Sequence, residues 1–238
     1  MSRLALAVLG LFALPSLASA ESPKWGTFEF RVSNFRPDRD SEFNGSATPY
    51  ADDFGAKRGW FPKILGSYTL FDQFVQVDAG LGTGWFRAKG KGHYEVLLPD
   101  GTRSGVWVRS KANTTFSIIP LTAALTVRVD GVAQRWPIPI DVYGRAALER
   151  YHWLVTDGAG SITKKGATNG WSVAGGVGLL LDFIDPILSR ELDDDSGINA
   201  TWLYFEVEKS VVNDFGSKKS WNLSDEALTL SGGLRMVF

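Results

Sequence analysis

His93 and His152 are the two histidines of this 238-residue chain, and their rings are the groups best suited to move a proton near neutral pH. His152 follows Glu149 by three residues, and a base at His152 could activate a hydroxyl such as that of Ser172. Such a trio at a membrane rim would suit a lipid A-modifying hydrolase. Nothing in the spacing demands it. Tyr151 and Trp153 flank His152, and a non-enzymatic rim residue is the simpler reading. Gly80-x-Gly82-x-Gly84 has neither a following helix nor a Lys-Ser/Thr pair, so phosphate cradling is rejected. The acids Asp38, Asp40 and Glu42, and again Asp193, Asp194 and Asp195, offer oxygen ligands that could suit calcium. The first set lacks the full loop spacing, and solvated acids are the commoner outcome. No metal and no cofactor are expected.

A larger set of charges recurs with a period of two. Glu29, Arg31, Asp78, Arg128, Asp141, Arg145, Glu149, Glu206, Glu208 and Arg235 all lie on the polar side of segments whose other side is apolar. If those segments close into a barrel, the ten charges point inward. Both signs are present, so a paired network filling the interior is expected.

The alternation is clearest over 228–238. Leu228, Leu230, Gly232, Leu234, Met236 and Phe238 take one face; Thr229, Ser231, Gly233, Arg235 and Val237 take the other. A final aromatic residue in phase with the apolar face, Phe238, reads as the assembly signal of an outer-membrane barrel. Seven further segments carry the pattern, at about 27–35, 61–71, 74–86, 115–129, 134–153, 171–183 and 201–209. Long polar stretches over 36–60, 87–114, 154–170 and 210–222 alternate with short connections such as Asp130-Gly131. Tyr94–Leu98, Pro99-Asp100-Gly101-Thr102 and Gly105–Arg109 read as a hairpin projecting from the second loop. Were it part of the wall, the strands would number ten rather than eight. Asp185-Pro186 predicts a short periplasmic helix over about 186–191.

The fold class expected is therefore all-β, an antiparallel up-and-down transmembrane β-barrel. Its tryptophans fall at strand ends, as in an aromatic girdle: Trp25, Trp136 and Trp202 at one end, Trp60, Trp85, Trp153, Trp171 and Trp221 at the other. Arg3, the apolar run Leu4–Leu14 and Ala18-Ser19-Ala20 read as a signal peptide cleaved after Ala20, leaving 21–238 as the barrel. The absence of cysteine rules out disulfides and thiolate metal sites, and fits a bacterial envelope. A net charge of -1 argues against nucleic-acid binding through a basic surface. Mean hydropathy is -0.05, which alternating faces produce by cancellation.

The order of several short motifs resembles that of the small outer-membrane β-barrel proteins of myxobacteria. They are Gly26-x-Phe28-Glu29-x-Arg31, Pro49-Tyr50 with Phe54-Gly55, Ile119-Pro120-Leu121 leading to Arg128-x-Asp130, Leu181-Asp182, Gly197-Ile198-x-x-Thr201 leading to Glu206, and Gly233-Leu234 with Phe238. The resemblance implies an outer-membrane barrel, no established enzymatic activity, and envelope or surface-motility proteins among its partners. The expected function is thus a structural or partner-binding barrel with no open pore, located in the bacterial outer membrane. Its expected neighbours are outer-membrane lipid and lipopolysaccharide, and the barrel-assembly machinery during biogenesis. A lipid A-modifying rim enzyme and a soluble periplasmic β-barrel binding an apolar ligand are the alternatives.

Overall fold

The computed structural model describes residues 24–73, 75–129, 138–217 and 219–238. The expected leader over 1–20, the turn at Asp130-Gly131 and the tryptophan at Trp136 lie outside the described residues. Eleven strands run through them: β1 (Gly26–Phe35), β2 (Gly59–Asp72), β3 (Gln76–Gly84), β4 (Phe86–Gly90), β5 (His93–Leu97), β6 (Arg103–Arg109), β7 (Thr114–Val129), β8 (Ile140–Thr156), β9 (Ile162–Leu180), β10 (Ala200–Val211) and β11 (Thr229–Val237). No helix among the described residues is long and apolar enough to cross a membrane, so any crossing is made by strands.

The strands form a closed antiparallel ring. β1 pairs with β2, β2 with β3, β3 with β7, and β7 to β11 follow in order until β11 returns to β1. β4 continues the wall beyond a break at Trp85 and pairs with β7, so β3 and β4 make one stave and the barrel has eight. β5 and β6 pair with each other in a separate sheet. The projecting hairpin is therefore outside the wall, and the ten-stranded alternative is not realised.

Phe238 seals the ring. Its amide donates to the Gly26 carbonyl at 2.9 Å, its carbonyl accepts from the Gly26 amide at 3.2 Å, and its ring lies 5.7 Å from that of Trp25.

Alternation sorts the two faces. Along β8 and the segment leading into it, Ile138, Ile140, Val142 and Leu148 are exposed, while Asp141, Tyr143, Arg145, Ala147 and Glu149 are buried. From Ile138 to Leu148 this apolar belt is about 25 Å tall at a barrel strand's rise and tilt. Inward glycines make room for large neighbours. A Cβ on Gly178 would stand 2.1 Å from Oδ1 of Asp141, and one on Gly176 would stand 2.6 Å from the Tyr143 ring.

At the short-turn end, Asp185 caps the helix Pro186–Ser196 by accepting from the Ile187 and Leu188 amides at 3.2 and 3.1 Å. The helix outruns the expected 186–191 because it stops only at Gly197, whose φ of 67° is a left-handed cap. Asp193, Asp194 and Asp195 consequently lie in its last turns, not after it. At the other end, the expected loop over 154–170 is mostly strand. β8 and β9 stay paired up to Thr156 and Ile162, leaving a tight turn in which Asp157 accepts from the Ala159 and Ser161 amides. The polar run Thr163–Asn169 hides a strand whose ladder rises beyond the apolar belt.

Candidate functional site: a charged interior beneath an aromatic cap

All ten charges expected to face inward are buried. Glu206 is the hub. Its carboxylate accepts from Arg31 at 2.6 Å, Arg145 at 2.9 Å and the Tyr143 hydroxyl at 3.1 Å. Arg145 also pairs with Glu29, Arg128 with Asp78, and Arg235 with Asp141. Arg31 reaches Glu208 at 3.3 Å, and Lys63 reaches it at 3.0 Å. Glu149 is held by hydroxyls instead: Thr122 donates at 2.6 Å and Ser172 at 3.0 Å. Lys63 was absent from the expected set. Pro62 and the mixed residues of 61–71 obscured the phase of β2, although Phe61, Lys63 and Leu65 are all buried.

Above the charges the interior turns aromatic. Phe35, Phe61, Phe86, Phe116, Tyr151 and Trp153 continue the inward phases of their strands and pack together with Ile118, Val212 and Leu223. The Phe35 ring stands 5.0 Å from Phe61 and 5.1 Å from Phe86. Trp221, from the segment between β10 and β11, stacks on Trp153 at 3.9 Å with an interplanar angle of 8°. Arg39 covers the Trp221 ring at 4.8 Å.

These contacts correct three girdle assignments. Trp153 is 8% exposed and Trp202 is 5% exposed, both on inward positions of their strands. Arg235 sits over the Trp202 ring at 5.1 Å. Trp221 closes the cap. Trp25, Trp60, Trp85 and Trp171 do lie exposed on the outer wall.

The loops are laced over this cap. Asp40 accepts from the Tyr50 and Ala51 amides at 2.7 and 3.1 Å, fixing the start of the helix Pro49–Phe54 from ten residues upstream, and also pairs with Arg36 at 3.2 Å. Burial pushes the Tyr50 hydroxyl well above its usual pKa. Glu42 pairs with Arg39 and takes the Asn222 amide. The Asp38 carboxylate accepts from the Asn222 side-chain amide at 3.4 Å, so Asp38, Asp40 and Glu42 serve loop structure, and among the described residues no three metal-ligating side chains converge.

The hairpin β5–β6 is tied down at its root and open beyond. His93 Nδ1 lies 2.7 Å from Asp53 Oδ1, and the Lys91 amide donates to the Asp53 carbonyl at 3.0 Å. Tyr94, Val96, Leu98, Val106, Trp107 and Val108 are exposed. At its tip Asp100 accepts from the Thr102 hydroxyl at 2.6 Å and the Thr102 amide at 2.9 Å, and these bonds hold its carboxyl below the usual range.

The geometry separates the residues of the enzymatic alternative. His152 pairs with Ile119 and Ala167 on the outward face, whereas Ser172 points inward to Glu149. The sheet stands between them. The soluble ligand-binding alternative is also reversed. Its ligand would need an apolar cavity inside, but here the lower interior is filled by ion pairs, the upper interior by packed aromatic rings, and a broad apolar belt faces out.

No protein-family model matches the chain, and no curated protein does. Among solved structures it is similar to Neisserial surface protein A, with a TM-score of 0.47 and 16% identity over 91% of this chain and 98% of that one. Ail, the attachment invasion locus protein of Yersinia pestis, gives a TM-score of 0.40 and 10% identity over 92% and 99%. The outer membrane protease OmpT of Escherichia coli gives 0.35 and 8% over 90% and 94%.

Proposed function

We propose that this chain is an integral outer-membrane barrel that conducts nothing and engages a protein partner through its long-loop end. The observation that carries this reading is the inverted polarity of the ring: apolar outside over a membrane-sized height, ion-paired within. An eight-stranded interior is just wide enough for side chains. Here they fill it twice over, with charges below and aromatic rings above. On this reading the short-turn end faces the periplasm and the hairpin β5–β6 stands outside the cell.

The partner surface is the hairpin, whose exposed Tyr94, Val106 and Trp107 crowd apolar area onto a two-stranded ribbon. An envelope or surface-motility protein is the partner class we favour, as the resemblance to small myxobacterial barrels implies. The likeness of residues 228–238 to the C-terminal strands of outer-membrane barrels makes Phe238 the assembly signal, and its pairing with β1 supports that role. Carbonate extraction of cell envelopes tests the location. The protein should stay in the pellet and run faster on gels when unheated; release into the supernatant would refute the reading. Tyr94→Ser with Trp107→Ser should then leave the barrel folded and remove the partner.

A further inference from the structure

The outer wall above the apolar belt carries an unbalanced row of cations. Register fixes the row: Arg87 on β4 pairs with Ser117 on β7, Ser117 with Leu154 on β8, and Leu154 with Lys165 on β9. Paired residues share a face, and this face is the outward one: Arg87, Lys89, Arg150 and Lys165 are exposed, their strand neighbours Phe86 and Tyr151 are buried, and Ser117 in the middle of the row is itself covered. Lys89 stands above Arg87, and Arg150 stands below Leu154 on the same face. Among the described residues Arg87, Lys89, Arg150 and Lys165 form no salt bridge; Arg150 donates to Asn169 at 3.1 Å, and Asn169 in turn donates to Asp214 at 2.9 Å.

Lower on the same wall lies an apolar groove of about 850 Å³, between Tyr68, Leu81, Leu125, Leu148, Trp171 and Val173. A second hollow of about 320 Å³ shares Leu81 and Leu148 with it and ends on Arg150, Asn169 and Phe215. Together the two hollows rise from the belt to Arg150, below the level of Arg87 and Lys165.

We propose that this wall binds one lipid A-type molecule, a bis-phosphorylated, multiply acylated disaccharide. An acyl chain lies in the groove and the two phosphates meet Arg87 and Lys165, with Arg150 beneath the sugar. Three strand spacings separate Arg87 from Lys165, about 14 Å across the sheet. That span suits phosphates at the two ends of a disaccharide better than the single phosphate of a phospholipid. Charge-assisted bonds to phosphate supply the selectivity, and Arg87 and Arg150 can each make two. The inference rests on the outer-membrane reading above and adds the lipid it selects.

The test uses the full-length protein purified in detergent, with native mass spectrometry and three probes: hexa-acyl bisphosphoryl lipid A, its bis-dephosphorylated form, and phosphatidylglycerol. Bisphosphoryl lipid A should bind at least about tenfold more tightly than either other lipid, and R87Q/K165Q should lose about tenfold in affinity for it. Equal binding of the dephosphorylated lipid or of phosphatidylglycerol overturns the proposal, as does an unchanged R87Q/K165Q that keeps the heat-dependent gel shift of the folded barrel. Should that variant misfold, the comparison of lipids on the native protein decides alone. A native protein that leaves the carbonate pellet brings down both readings; one that stays and shows no preference brings down this one only.

Discussion

Trp25 and Phe238 bracket the seam of the barrel, their rings 5.7 Å apart while the Trp25 amide donates to the Phe238 carbonyl at 2.6 Å. The seam joins the strands most distant in sequence, so it closes with the greatest loss of chain entropy. Phe238→Ala keeps the backbone bonds and removes the ring, so about 1 kcal/mol of stability should go with the aromatic pair. The larger effect expected is on assembly in cells, where the membrane-inserted fraction should fall steeply. Normal insertion of Phe238→Ala, scored by the unheated gel shift, would leave Phe238 a packing residue and no signal.

Much of this architecture was legible because barrel strands write their two faces directly into the sequence. Asp141, Arg145 and Glu149 follow one phase on β8, and the same phase continued to Tyr151 and Trp153, both buried. Residue type suits Trp153 to a girdle, but phase places it inward, and the same holds for Trp202 beside Tyr204 and Glu206. The aromatic cap is therefore present in the alternation, where residue type points instead to membrane anchors. Other features had no such signal. Trp221 lies outside any strand, and its stack on Trp153 joins residues 68 positions apart. The cation row is a product of register across four strands, which a period within one strand does not specify.

Removing a charge from the hub should cost more than removing one at the hydroxyl-held acid. Glu206→Gln leaves Arg31 with Glu208 and Arg145 with Glu29 as their remaining acidic partners and the buried cluster one negative charge short, a loss of about 3 kcal/mol. Glu149→Gln keeps an oxygen acceptor for one of Thr122 and Ser172 and turns an NH2 donor to the other hydroxyl, which can rotate to accept, so it should cost about 1–2 kcal/mol. Urea unfolding from lipid vesicles measures both. Equal losses would mean that burial, not pairing, sets the penalty.

Asp100 makes the hairpin tip respond to acid in a defined direction. Its hydrogen bonds from Thr102 lower its folded pKa, so the stabilisation is complete above the unfolded value and fades as pH falls through the lower, folded one. The tip should thus be unchanged from neutral pH down to about 4 and loosen only below that. The protection of the Thr102 amide, its exchange rate relative to a free chain at the same pH, reads this directly, because its N–H bonds to the carboxylate. In Asp100→Ala that protection should be lost at every pH. A loosening centred near pH 6 would implicate a histidine rather than Asp100.

The two layers of the interior make different predictions for transport. Trp221 is held in the cap by its stack on Trp153 and by Arg39 above it, so Trp221→Ala should cost about 1 kcal/mol from the stack and about 1–2 kcal/mol more from lost burial, and speed amide exchange at Leu223. It should not open a pore. Below the cap, Glu206, Arg145 and Arg31 still span the lumen, and an ion would have to displace charges already paired at close range. In planar bilayers, native protein and Trp221→Ala should both be silent, while the triple substitution Trp221→Ala, Arg145→Ala and Glu206→Ala should admit current if it folds. Steady conductance from Trp221→Ala by itself would place the whole barrier in the aromatic cap and make the charged layer a structural filling.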